Sequence, residues 1–264
     1  MYTSDVEGLD AFAKRYAELK KEIAKVIVGQ EDIVSKLLIS IFCDGHSLLI
    51  GVPGLAKTLT VHTIAEVLDL SFSRIQFTPD LMPSDILGTE LLDETRNFKF
   101  SRGPVFSNIV LADEINRTPP KTQSALLEAM QERSVTVAGQ KHLLPSPFFV
   151  LATQNPIEQE GTYSLPEAQL DRFMFSLNLD YPSVSEEIDV VKSTTSGKKV
   201  TLDKKMTSVE IKYFQDLIKR IPITDNVLEY AVKLTNKTRP NREGSLPRVN
   251  SFIAWGAGPR ASQY

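Results

Sequence analysis

Cysteine is almost missing from this chain of 264 residues: Cys43 is the only one, so no disulfide can form within it. The thiol lies in the apolar stretch Leu37–Cys43 and reads as buried filler. Histidine is nearly as scarce. His46, His62 and His142 are scattered without metal-ligand spacing, so no structural metal site is expected. Charge of one sign is not in excess either, with a net charge of −3. That balance gives no general pull toward nucleic acid or an anionic membrane, and neither is expected as a partner. No apolar run is long enough to span a bilayer, and the charged segment Met1–Lys25 has no core of signal-peptide length. A cytoplasmic location is the default expectation. Internal repeats and low-complexity segments are absent as well.

What remains is an ordinary globular composition, 42% hydrophobic and 24% charged. The length suits one large α/β domain with a smaller one. Residues 9–26 place Leu9, Phe12, Ala13, Tyr16, Leu19, Ile23 and Val26 at helical spacing, and Ile33, Leu37, Leu38 and Ile41 form a second helical face. Four short apolar runs follow, at Ser47–Ile50, Ile109–Ala112, Phe148–Ala152 and Phe173–Leu177, with residues 71–77 as a fifth candidate. Their β-branched and aromatic content predicts buried parallel strands alternating with helices. Glu90–Ser101, with its polar middle Asp93–Asn97, and Val135–Leu144, with Gly139 in the turn, read as hairpins. After Tyr181-Pro182 the chain becomes helical and polar, and the lysine-rich stretch Ser196–Lys205 reads as a solvated loop.

The run Leu48–Ile50 leads directly into Gly51-Val52-Pro53-Gly54-Leu55-Ala56-Lys57-Thr58, with Lys57-Thr58 opening a helix that continues through Leu59, His62, Ala65, Glu66 and Val67. This order is what phosphate binding requires. Gly51 and Gly54 let the backbone curl with its N–H groups inward. The helix start adds free amides and a positive dipole end. Lys57 would reach the β- and γ-phosphates, and Thr58 would offer its hydroxyl to Mg²⁺. The usual motif has glycine just before the lysine. Here that residue is Ala56, expected at a helical φ where a methyl group is tolerable.

The strand Ile109–Ala112 runs into Asp113-Glu114. Two carboxylates ending a buried strand are costly unless they have a task. Beside a phosphate loop, Asp113 can hold the Mg²⁺ shell and Glu114 can polarise the attacking water. ATP and Mg²⁺ are the expected ligands. Phe148–Thr153 delivers Gln154-Asn155 at its end. Asn155 either hydrogen-bonds water or γ-phosphate, or simply opens an Asn-Pro turn. Arg172 is either a surface arginine paired with Glu167 or Asp171, or a group that reaches a neighbouring subunit's ATP. Arg260, at a helix start after Gly256–Pro259, either touches phosphate or is solvated.

Taken together, Gly51–Thr58, Asp113–Arg117 with Thr118–Gln123, and Ala152–Glu160 resemble the MoxR-type AAA+ ATPases. Gly161–Phe173 and Gly258-Pro259-Arg260-Ala261-Ser262 agree, and the resemblance runs from about Val28 to the last residue. Ala56 is itself usual in that family. The resemblance implies an α/β P-loop core with a five-stranded parallel sheet at residues 1–182, then a small helical lid at 183–264, incomplete at its end. It assigns Val28, Gly29 and Gln30 to the adenine, and Val52, Pro53, Leu55 and Leu59 to the nucleotide along with the rest of the loop. Asn155 matches sensor 1, Arg172 the arginine finger acting in trans, and Arg260 sensor 2, acting in cis or in trans. Arg117 is a competing candidate for the interface arginine.

The hairpins correspond to the helix-2 insert, about 88–101, and the pre-sensor-1 hairpin, about 135–144. Such proteins are similar to magnesium chelatase subunits and form hexameric rings. They are chaperone-like remodellers, often with partners carrying a von Willebrand factor A domain. The expected function is therefore a Mg·ATP-driven remodeller of proteins. A nucleic-acid translocase and a nucleotide-gated scaffold with little hydrolysis are the alternatives.

Overall fold

Helix α1 (Asp5–Ile23) opens the chain, capped by Ser4, whose hydroxyl accepts from Glu7 N at 3.2 Å. Asp5 and Glu7 in its first turn and Lys20 and Lys21 in its last complement the helix dipole. The computed structural model describes residues 2, 4–92, 94, 96–157, 161–195 and 200–263. Parts of three sequence readings lie outside the described residues: Asp93 and Thr95 of the first hairpin's polar middle, residues 158–160 of the Ala152–Glu160 stretch, and residues 196–199 of the lysine-rich stretch.

After α1 come α2 (Glu31–Phe42), β1 (Ser47–Ile50), α3 (Lys57–Val67), β2 (Phe72–Gln76) and α4 (Pro83–Leu87). A hairpin, β3 (Gly88–Leu92) with β4 (Phe98–Arg102), precedes β5 (Ile109–Asp113), a 3-10 turn (Ile115–Arg117) and α5 (Pro120–Glu132). A second hairpin, β6 (Ser134–Val137) with β7 (Gln140–Leu143), precedes β8 (Phe149–Gln154), α6 (Glu167–Leu170) and β9 (Phe175–Asn178). The chain then continues through α7 (Val184–Thr195), α8 (Ser208–Ile218), α9 (Asp225–Lys237), α10 (Pro247–Phe252) and α11 (Arg260–Gln263).

β1, β2, β5, β8 and β9 form one sheet in the order β2-β5-β8-β1-β9, and every neighbouring pair is parallel. Successive side chains of a strand point to opposite faces, which separates two cores. Leu49, Ile109, Leu111 and Leu151 pack with α1, α2, α3 and α8 on one face. Leu48, Val110, Ala112, Val150 and Ala152 pack with α4 and α5 on the other. The result is an αβα sandwich with a helical C-terminal part. Parallel strands buried on both faces are why these segments read as continuous apolar runs rather than alternating ones.

The turn of the second hairpin is Ala138-Gly139, with φ of +48° and +79°. Positive φ at both central residues matches the right-handed strand twist, so Gly139 is suited to its place. Between the hairpins, Phe100 and His142 stack with ring centroids 4.0 Å apart.

The lysine-rich stretch is only partly a solvated loop. Beyond the undescribed residues it docks on the core: Lys205 N donates to Val67 O at 2.8 Å, Asp203 N donates to Glu22 Oε1 at 3.0 Å, and Met206 is buried. These bonds deliver α8, whose Ile211, Phe214 and Leu217 complete the core around α1 and α2. The glutamate and the backbone amide that ties it lie 181 positions apart, beyond what local pattern can show.

Candidate functional site

All five sheet strands run the same way, so their C-terminal ends share one edge. That edge holds the turn after β1, the end of β5 and the end of β8. The loop from Gly51 to Ala56 turns there into α3. Gly54 has φ +90° and faces open space, a conformation suited to glycine, whereas a Cβ on Gly51 would come within 2.9 Å of Leu179 Cβ. Ala56 departs from expectation: its φ is +54° and ψ +22°, left-handed rather than helical. The usual glycine at this position follows from that geometry, because a Cβ in the left-handed region costs roughly 1–2 kcal/mol.

A cavity of about 450 Å³ is lined by Pro53, Gly54, Ala56, Lys57, Thr58, Leu59, Arg74, Gln76, Asp113 and Glu114. The Lys57 ammonium donates to Gly51 O at 2.6 Å. Partial burial lowers its pKa, while the charges of Asp113 and Glu114 oppose that shift. Gln30 ties the Val28–Gln30 segment to the loop: its Nε2 donates to Leu55 O at 3.0 Å, and Thr60 Oγ1 donates to its Oε1 at 3.3 Å. Gly29 has φ +73°, and a Cβ there would meet the Glu186 carboxylate.

The two carboxylates at the end of β5 are not unpaired, as the argument from burial cost assumed. Asp113 Oδ1 accepts from Thr153 Oγ1 at 2.6 Å, and Oδ2 accepts from Arg74 Nε at 3.1 Å and Nη2 at 2.7 Å. Glu114 Oε2 accepts from Gln76 Nε2 at 2.9 Å and lies 3.3 Å from Arg117 Nε. Glu114 is left-handed, φ +57°, and its N–H donates to Thr153 Oγ1 at 2.9 Å. Thr153, Arg74 and Gln76 went unnoticed in the sequence. The signal for the last two was Arg74 and Gln76 at alternate positions of one strand, which puts both on one face.

Asn155 follows β8, which lies between β5 and β1, so it sits between the carboxylate pair and the phosphate loop. It is buried, and its Oδ1 accepts from Ile157 N at 3.1 Å.

Arg172 and Arg260 lie elsewhere. Arg172 precedes β9, and Met174 N donates to His46 O just ahead of β1, which fixes this region at the N-terminal edge of the sheet. Arg172 Nη1 donates to Leu127 O at 2.7 Å, so the expected alternative of pairing with Glu167 or Asp171 gives way to a backbone partner. Arg260 takes Asp171 instead, Nη1 to Oδ2 at 3.5 Å. Both arginines line a cavity of about 180 Å³ with Asp44, His46 and Arg133. No residue of that cavity lines the one at Lys57. Arg117, by contrast, sits beside Glu114 at the phosphate edge.

As for metal, among the described residues no three or more His, Cys, Asp or Glu are grouped so as to hold an ion by themselves. Asp113 and Thr58 supply hard oxygen donors in one cavity. That donor set suits Mg²⁺, which is bound by one or two protein oxygens together with substrate phosphates and water. No helix among the described residues is long and apolar enough to cross a membrane.

A parallel sheet of this order, with a glycine-bearing loop opening a helix beside two carboxylates, defines a P-loop ATPase. Residues 46–175 match the family model for the ATPase family associated with various cellular activities (AAA). The chain is 45% identical over 258 residues to Chaperone MoxR1 of Mycobacterium tuberculosis, a match covering 97% of this chain and 68% of that protein. It is 34% identical over 171 residues to Protein MoxR of Methylorubrum extorquens, covering 63% of this chain and half of that one. A crystal structure of a candidate ATPase from Cytophaga hutchinsonii superposes with a TM-score of 0.90 at 44% identity, over 97% of this chain and 78% of that one. The chain belongs to the MoxR family of AAA+ ATPases.

Proposed function

We propose that this ATPase works as a ring in which each ATP site is completed by a neighbouring subunit, and that turnover remodels a protein client. One observation carries this reading. Arg172 and Arg260 stand together at the sheet edge opposite Lys57. The strands between are four to six residues long, and at about 3.3 Å per residue the two edges lie roughly 13–20 Å apart. An arginine side chain does not span that distance to its own chain's phosphates. Joined head to tail, one copy's arginine edge can face another's phosphate edge, and head-to-tail contacts close into rings. A hexamer is the expected size. Arg172 is then the arginine finger and Arg260 acts in trans, whereas Arg117 serves its own chain beside Glu114.

In that arrangement the backbone of Gly51–Thr58 and the Lys57 ammonium bind the phosphates, and Val28–Gln30 meets the adenine. Thr58 and Asp113 would hold Mg²⁺, which supplies charge neutralisation on the phosphates when bound. Glu114 takes the proton from the attacking water, Asn155 orients that water, and Arg172 of the adjacent copy stabilises charge on the transferred group. The helices after Tyr181–Ser183 are assigned to the lid, with α8 tying it to the core.

A protein client is favoured over nucleic acid by the hairpins. Leu92, Phe98 and Leu143 are 58%, 73% and 74% exposed, a large apolar contact surface set among only a few exposed cations, Arg96, Lys99, Arg102 and Lys141, of the kind that tracking phosphates calls for. A von Willebrand factor A-domain partner and a cytoplasmic setting complete the proposal.

The test is complementation. Arg172→Ala and Lys57→Ala are each expected to lose turnover, Arg172→Ala while still binding ATP. Mixing the two should restore part of the activity, because some interfaces pair an intact loop with an intact arginine. Mass measurement should show the assembly. Mixtures as inactive as their components, or a fully active Arg172→Ala, would overturn the in-trans reading. Glu114→Gln separates motor from scaffold: it should bind ATP and cleave it at least about 100-fold more slowly, and wild-type turnover would refute its role.

A further inference from the structure

Arg74 is a charged side chain that the reaction above does not use, yet it lines the same cavity as Lys57, Thr58, Asp113 and Glu114. Two of its nitrogens converge on one oxygen, Asp113 Oδ2, at 3.1 and 2.7 Å. Its Nη2 also donates to Gln76 Oε1 at 2.7 Å, which holds the fork in place. The other carboxylate oxygen is engaged by Thr153. Both oxygens of Asp113 are therefore occupied by donors, and the residue is only 8% exposed. A cation approaching Oδ2 meets a guanidinium already seated there, and the two positive charges repel. Arg74 is itself half-exposed, on the edge strand β2, so it has room to leave.

We propose that Arg74 is a positioning residue, an internal counter-ion that competes with the divalent cation for Asp113 Oδ2. The inference rests on the reading that Asp113 belongs to the metal shell. Without metal, the pair keeps a nearly buried carboxylate neutralised and aimed into the cavity. Metal loading moves the guanidinium off Oδ2, toward the side of the cavity where the phosphates bring negative charge. Arginine suits this task better than lysine, because its planar fork places two donors on one carboxylate oxygen and a bond on Gln76, whereas an ammonium is a single point charge.

The probe is Mn²⁺, titrated into ADP-saturated protein and followed by the loss of its free electron paramagnetic resonance signal. No turnover is involved. Arg74→Gln is expected to bind Mn²⁺ about five- to tenfold more tightly than wild type, since one nearby like charge is gone. Arg74→Lys should lie between the two, and it provides the comparison if Arg74→Gln does not fold by circular dichroism. Unchanged or weaker Mn²⁺ binding in the folded variant would overturn the proposal. Asp113→Asn isolates the reading beneath it. Should Asp113→Asn bind Mn²⁺ with ADP as tightly as wild type, Asp113 is no metal ligand and both statements fall. Where Asp113→Asn weakens Mn²⁺ binding but the Arg74 variants do not tighten it, only the counter-ion role is lost.

Discussion

Thr153 donates its hydroxyl proton to Asp113 Oδ1 at 2.6 Å, inside the sheet where both residues are buried. Thr153 Oγ1 in turn accepts from Glu114 N at 2.9 Å, so one hydroxyl aligns both acids, one by side chain and one by backbone. Thr153→Val keeps the shape and removes both bonds. It is expected to destabilise the fold by about 1–3 kcal/mol, the cost of leaving buried polar groups unpaired. ATP turnover should fall about tenfold or more as Glu114 loses its anchor. Thr153→Ser should retain most of both. Denaturant unfolding and steady-state kinetics check this, and a fully active Thr153→Val would sink the role given to the hydroxyl.

Ala56 holds a left-handed φ of +54° at the start of α3. Glycine there relieves strain of roughly 1 kcal/mol, offset by the greater freedom it gives the unfolded chain. Ala56→Gly should therefore bind ATP normally, with stability within about 0.5 kcal/mol of wild type. Ala56→Val, β-branched in the same conformation, should lose about 1–2 kcal/mol and bind ATP more weakly. Thermal melts and nucleotide titrations separate the two. Equal behaviour of the valine variant and wild type would mean the loop relaxes without cost.

His46 lies buried ahead of β1. Its Nδ1 accepts from Val150 N at 3.0 Å, so its Nε2 carries the proton toward Met130 O at 3.3 Å. Burial, then the nearby charge of Arg133, pushes its pKa down to about 3, against the Met130 bond, which works the other way. The folded state thus holds the neutral ring, and the unfolded chain takes up a proton below about 6.5. Stability from this group is complete above that pH and declines as pH falls toward 3. The loss at pH 5 is about 2 kcal/mol. Glu22, held down to about 2 chiefly by the Asp203 N–H and Lys25, titrates in the unfolded chain only below about 4.5, so the window from 5 to 6.5 isolates the histidine. In denaturant unfolding at pH 7 and pH 5, His46→Gln should lose that much less between the two. Identical pH slopes for variant and wild type would contradict the account.

Much of the site was readable in order along the chain, because its parts are local. A strand, a curling loop and a helix start are consecutive residues, and their spacing is dictated by the phosphates they surround. Asp113-Glu114 was readable for the same reason, as an apolar run that ends in charge. The partners of those acids were not. Arg74 and Thr153 lie 39 and 40 positions from Asp113, and only pairing of β2, β5 and β8 brings them to it. Ala56 was misjudged because a residue's φ is set by the loop closing around it, not by its neighbour's propensity.

The sequence by itself determined the strand-loop-helix unit, the carboxylate pair, both hairpins and the α/β class, since each follows from periodicity, turn chemistry or close spacing. Only the tertiary structure decided which edge of the sheet each arginine occupies. Arg117 ended at the phosphate edge beside Glu114, while Arg172 and Arg260 met at the other, lining one cavity. That outcome depends on strand order and on the common direction of five strands. These are set by long-range packing of two apolar faces, and no local stretch of sequence carries them.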